Sequence, residues 1–127
     1  MINERPILLV GAGPMAIEYA RVLKALRVQF LVVGRGEKSA TDFGNQVGIR
    51  PFVGGFNLWR KDNRTLPKTA IVAVTENELG NTTRDLIRAG VKSILVEKPG
   101  GLNARDIKKG ALLARAKKTE VFVGYNS

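Results

Sequence analysis

The chain contains no cysteine and no histidine. Without cysteine there are no disulfides, thiolate metal sites or thiol nucleophiles. Without histidine the commonest general base, the commonest zinc ligand and any serine–histidine triad are excluded from these 127 residues. Chemistry here falls to lysine, tyrosine, carboxylates or a bound cofactor. No stretch approaches the ~20 apolar residues of a membrane helix. The N-terminal MINERPILLVGAGP has a short apolar run that breaks at glycine and lacks the basic start and cleavage site of a signal peptide. The expectation is a cytoplasmic protein with no membrane partner. A length of 127 residues with 44% apolar and 25% charged residues fits one globular domain spanning 1–127.

Acidic residues are few, 11 against 21 lysines and arginines, for a net charge of +10. The excess is spread along the chain and is densest at Arg105, Lys108, Lys109, Arg115, Lys117 and Lys118. Such a run reads either as a polyanion-binding surface or as a solvated helix face. No aromatics interleave with it, which argues against a single-strand nucleic-acid platform.

Short apolar runs alternate with longer amphipathic ones. Candidate strands are Ile7–Val10, Val28–Val33, Pro51–Val53, Thr69–Thr75, Val91–Val96 and Val121–Val123. Between them, helices are expected over Pro14–Leu26, Thr41–Val47, a turn or two capped by Asn57, and Leu79–Ala89 closed by Gly90. Met15, Ile17, Tyr19, Val22, Leu23 and Leu26 would form the inner stripe of the first. A last helix opens at Asn103, with Asp106 as a partial capping box. Strands buried on both faces and joined by helices imply a doubly wound α/β fold, three layers around a mainly parallel six-stranded sheet. In such sheets ligands bind beyond the carboxyl ends of the strands, so the residues there are the ones that matter.

Gly11-Ala12-Gly13-Pro14-Met15-Ala16 fits the pattern G-x-G-x-x-G/A between a strand and a helix, the dinucleotide fingerprint of the Rossmann fold. Gly11 permits the turn, Gly13 lets a pyrophosphate approach the backbone, and Ala16 lets helix and sheet pack closely. The bland alternative is a strand–helix turn that merely needs glycine. NAD sites commonly place an acid after the second strand, for the ribose 2′-hydroxyl. Here that place reads Gly34-Arg35-Gly36-Glu37-Lys38-Ser39. A guanidinium at Arg35, with donors from Lys38 and Ser39, suits a 2′-phosphate, which favours NADP over NAD. Glu37 is the rival, able to reach a 2′-hydroxyl if the loop shifts. Thr75, Glu76 and Asn77 follow the fourth strand and face either the cofactor or the start of the next helix as caps. Glu97-Lys98-Pro99 follows the fifth. Lys98 there is either a surface charge or a proton donor to a substrate oxygen. No metal site is expected.

GAGPMA, IVAVTEN, AGVKSILVEKPGGLNARDI and VFVGYNS together resemble the N-terminal domain of the glucose–fructose oxidoreductase/inositol dehydrogenase family of NAD(P)-dependent dehydrogenases. The resemblance covers essentially the whole chain, and Glu97-Lys98-Pro99 is its most specific piece. It implies that Lys98 lies by the nicotinamide and takes part in binding or proton transfer. Cofactor-binding residues are then Gly11, Ala12, Gly13, Pro14, Met15, Arg35, Lys38, Ser39, Thr75, Glu76, Asn77, Glu97, Lys98 and Pro99. It also implies a small sugar-like or polyol substrate, more loosely a place in surface-polysaccharide biosynthesis, and further copies of the full-length enzyme as partners. The family's substrate pocket belongs to a C-terminal α/β domain that this chain lacks. The expectation is therefore a cofactor-binding part of a longer enzyme, inactive alone, with Tyr125 and Asn126 at the mouth of the cleft. A stand-alone nucleotide-binding or sensing module is the alternative reading, and a nucleic-acid-binding domain the third.

Overall fold

The computed structural model describes residues 6–124, and the notions attached to Tyr125 and Asn126 lie outside them. Among the described residues, six strands alternate with five helices: β1 (Ile7–Val10), α1 (Pro14–Ala25), β2 (Phe30–Gly34), α2 (Glu37–Val47), β3 (Phe52–Val53), α3 (Phe56–Asp62), β4 (Thr69–Val72), α4 (Glu76–Ala89), β5 (Ser93–Val96), α5 (Ala104–Lys117) and β6 (Glu120–Val123). The strands pair in the order β3-β2-β1-β4-β5-β6, every pair parallel. This is the expected doubly wound sheet: strands are added in one direction from β1 to β3 and in the other from β4 to β6, so the switch point lies between β1 and β4.

The strands are short, and alternate residues face opposite sides. Leu8, Val10, Ala70, Val72, Ile94 and Val96 point into one core, where Phe56, Trp59, Leu79, Leu86 and Ile87 of α3 and α4 cover them. Leu9, Val32, Ile71 and Ala73 point into the other, under Ala16, Ile17, Ala20 and Leu23 of α1 and Phe43 and Val47 of α2. Burying a leucine such as Leu8 or Leu9 fully contributes about 1.5–3 kcal/mol, so both faces carry the stability of the sheet.

The boundaries correct several expectations. The inner stripe of α1 is Ala16, Ile17, Ala20 and Leu23, whereas Val22 and Leu26 are exposed. Val22 lies off that stripe, and Leu26 is the C-cap residue past the end of the helix. Helix α2 begins at Glu37, four residues before Thr41, with Gly36 as its N-cap in extended backbone. Lys38 and Ser39 are therefore helical and not in a loop. Helix α3 is capped by Gly55 at φ +88°, with Asn57 inside it. There the Asn57 amide donates to Asp85 at 3.1 Å, a tie to α4. Helix α4 starts at Glu76, three residues before the expected Leu79, with Thr75 as N-cap, and ends at left-handed Gly90 as expected. The Asn103 carboxamide oxygen accepts from the Asp106 N–H at 2.9 Å, so the expected cap of α5 is present. Asp106 in turn accepts from the N–H of Leu102 at 2.7 Å and bonds Arg84 of α4 at 2.6 Å. The basic residues of α5 and its end are all exposed, as on a solvated face.

Candidate functional site

The turn after β1 shows why glycine stands at position 11. Its N–H donates to Val33 O at 2.8 Å, and the Ala73 N–H donates to Val10 O at 2.8 Å. The ends of β2 and β4 thus close on it from both sides. Its φ is +125°, and a Cβ there would overlap the carbonyl oxygen of Ala73. Gly13 is different. Its φ is −85°, nothing lies within 4 Å of where its Cβ would be, and it is the N-cap of α1 with no side chain capping the helix. Backbone is therefore exposed at the positive end of the helix dipole, with open space in front of it. That combination admits a phosphate group.

The open space is a cleft of about 450 Å³ at the carboxyl ends of β1, β2 and β4. The glycine turn, Gly11 to Met15, forms one wall. Arg35, Gly36 and Ser39 at the start of α2 form the second, and Thr75 with Glu78 at the start of α4 the third. Eight residues named from the sequence thus come together: Gly11, Ala12, Gly13, Pro14, Met15, Arg35, Ser39 and Thr75. Lys38, Glu76, Asn77, Glu97, Lys98 and Pro99 do not line this cleft. The Thr75 hydroxyl donates to the side-chain oxygen of Asn77 at 2.8 Å. Glu37 forms an exposed ion pair with Arg50 and does not line this cleft.

Glu78, which ends the stretch Thr75-Glu76-Asn77-Glu78 after the fourth strand, also lines the cleft, although the sequence alone assigns it no role. Its carboxylate lies 3.7 Å from the Arg35 guanidinium, across the cleft from the glycine turn. The signal was the helical register. With Thr75 as N-cap, the third residue of α4 turns back toward the strand ends.

Glu97 is buried behind the end of β5 and accepts a 2.6 Å hydrogen bond from the Tyr19 hydroxyl of α1. Burial, the bond to Glu97 and the nearby negative charge push the Tyr19 phenol up to about 12. Next to Glu97, Lys98 is exposed at the strand end, and its bond to Pro99 is cis. The Gly100 N–H donates to Glu97 O at 2.9 Å, closing the turn that carries the lysine. Elsewhere, the Leu102 N–H and then Arg84 hold the Asp106 carboxyl below its ordinary value. Among the described residues no group of histidine, cysteine, aspartate and glutamate could hold a metal ion, and no helix is long and apolar enough to cross a membrane.

The sequence matches the model of the oxidoreductase family with an NAD-binding Rossmann fold, glucose–fructose oxidoreductase/inositol dehydrogenase/MocA, over residues 5–125. The chain belongs to that family, and it is an NAD(P)-binding oxidoreductase domain. No curated protein matches it significantly. Among solved structures it is similar to GenD2 from gentamicin A biosynthesis in complex with NAD, at 28% identity and a TM-score of 0.78, over 98% of this chain and 35% of that one. Biliverdin reductase from Synechocystis, in complex with biliverdin and NADP+, is 24% identical with a TM-score of 0.76, over 93% and 37%. An oxidoreductase from Agrobacterium radiobacter, in complex with NAD+, L-tartaric acid and magnesium, is 18% identical with a TM-score of 0.82, over 95% and 35%. The last two show likeness of fold alone. The chain spans little more than a third of the length of these proteins.

Proposed function

We propose that the chain is the cofactor-binding part of an NAD(P)-dependent oxidoreductase that prefers NADP and acts on a sugar or polyol-like substrate. The observation that carries the cofactor reading is the joining, in one cleft, of open backbone at Gly13 with the guanidinium of Arg35. The glycine turn takes the pyrophosphate against the α1 N-terminus, and Arg35 takes the 2′-phosphate, with the Ser39 hydroxyl and the start of α2 beside it. Glu37, the rival acid at the end of β2, is paired with Arg50.

When bound, the nicotinamide cofactor supplies the hydride chemistry. Lys98 holds the substrate oxygen and gives or takes its proton, in an exposed position at the end of β5. The bond from Tyr19 to Glu97 keeps that strand end in register with the glycine turn. Two neighbours support a sugar-related substrate. GenD2 comes from the biosynthesis of gentamicin A, and the WlbA dehydrogenase of Bordetella pertussis, 14% identical with a TM-score of 0.79 over 96% of this chain and 38% of that one, was solved with NADH and UDP-GlcNAcA. The substrate pocket and the remaining catalytic groups belong, in this reading, to a further domain of a longer enzyme.

Calorimetric titration with NADPH tests the cofactor reading. Gly13→Ala places a methyl group in the pyrophosphate site without meeting any atom of the protein. It is expected to weaken NADPH binding at least ~10-fold while the fold is kept. Unchanged affinity in a folded Gly13→Ala protein contradicts the assignment.

A further inference from the structure

Resting on the nucleotide reading above, we infer that Glu78 is a cofactor-specificity residue: it supplies, from α4, the ribose-binding carboxylate that the end of β2 lacks, and it opposes the 2′-phosphate that Arg35 attracts.

The dinucleotide fingerprint calls for an acid after the second strand, and Arg35 stands there. The carboxylates near that place are few and mostly engaged elsewhere. Glu37 pairs with Arg50. Asp85 accepts from Asn57 and lies 3.6 Å from Arg88. Glu76 is exposed outside the cleft. Glu78 alone among these lines the same cleft as Gly13, Arg35 and Ser39. Its position is fixed by the backbone, because its N–H donates to Thr75 O at 2.9 Å in the first turn of α4. Its carboxylate reaches to 3.7 Å from the Arg35 guanidinium, which brings it to the end of β2 from the opposite wall.

Side-chain exposures of 73% for Arg35 and 36% for Glu78 make this pair a poor contributor to stability. Its consequence is chemical. A carboxylate beside the adenosine ribose accepts hydrogen bonds from a free 2′,3′-diol, as in NAD(H). A 2′-phosphate brings about two negative charges against it and competes for the same guanidinium. Arg35 and Glu78 thus pull the preference in opposite directions, and the cleft is built to take both cofactors with a narrow margin.

Dissociation constants for NADPH and NADH, measured separately on the chain at one fixed salt concentration, test this. Glu78→Gln is expected to weaken NADH and strengthen NADPH, moving their ratio roughly 10-fold or more toward NADPH. Arg35→Ala is expected to move it toward NADH. Glu18→Gln makes the same charge change on the outer face of α1, where Glu18 pairs with Arg21, and is expected to leave the ratio alone. Circular dichroism verifies that each variant is folded. If the wild type binds both cofactors and a folded Glu78→Gln protein keeps the wild-type ratio or moves it toward NADH, the inference is overturned while the nucleotide reading stands. If the wild type binds neither, the nucleotide reading falls and the inference with it.

Discussion

The hydroxyl of Tyr19, in the second turn of α1, donates a 2.6 Å hydrogen bond to the buried carboxylate of Glu97 at the end of β5. It also packs against the last described residue, since a Cβ on Gly124 would lie 3.2 Å from that oxygen. One phenol therefore links the helix that follows the glycine turn to the ends of β5 and β6. Lys98 is the next residue after its partner.

Removal of that hydroxyl leaves a buried carboxylate short of a donor. Tyr19→Phe is expected to cost about 1–3 kcal/mol of stability in urea unfolding at neutral pH. The folded state holds the phenolic proton to about pH 12, whereas the unfolded chain releases it near 10. The stability gained over Tyr19→Phe is therefore full below about pH 10 and is lost as pH rises toward 12. Absorbance titration in a Tyr125→Phe background, which leaves Tyr19 as the single tyrosine, is expected to show ionisation delayed past pH 11. Titration at 10 contradicts the bond.

The two glycines of the turn have separable roles. Gly11→Ala forces a side chain into the carbonyl of Ala73 at a left-handed φ, and a loss of more than ~2 kcal/mol is expected. Gly13→Ala meets nothing and has an ordinary φ, so it should lose much less, at most about 1 kcal/mol for alanine at the helix N-cap. Thermal melts of both variants check this contrast. Equal destabilisation would contradict it.

Asp106 holds the start of α5 against α4. It accepts from the N–H of Leu102 and from Arg84, and Gly80 leaves room for its carboxylate. Asp106→Ala is expected to destabilise by about 1–2 kcal/mol. The Asp106 carboxyl is held below its ordinary value, so this advantage is full above about pH 4 and fades as pH falls further. Urea unfolding of wild type and variant at pH 3 and pH 6 checks the sign. Gly80→Ala, whose methyl would overlap the Asp106 carboxylate, is expected to loosen the same contact.

The sheet was legible because its strands are short apolar runs, some ended by glycine as at Leu8-Leu9-Val10-Gly11, and the first five are each followed by a helix. The glycine turn was legible for the same reason. Helix α2 starts four residues before the expected Thr41, because Gly34 and Gly36 look like loop punctuation in the sequence. Yet Ala40, Phe43 and Val47, all buried, already carried the helical spacing. Val22 and Leu26 look inward-facing in the sequence because they are larger, whereas the buried i, i+1, i+4, i+7 stripe runs through the alanines Ala16 and Ala20 with Ile17 and Leu23. The pairs Tyr19–Glu97 and Arg35–Glu78 join residues far apart in sequence. Each depends on strand order and helix register together, and no local pattern carries that information.

The central claim is that the cleft of Gly13 and Arg35 binds a dinucleotide with a 2′-phosphate. A thermal-shift titration of the chain with NADPH and, separately, NADH tests it most directly. A ligand that binds only the folded state raises the melting temperature by mass action. The account predicts a rise with both cofactors, larger with NADPH, and loss of the NADPH excess in Arg35→Asp. An equal or larger rise with NADH would contradict the role given to Arg35, and no rise with either would contradict the nucleotide site itself.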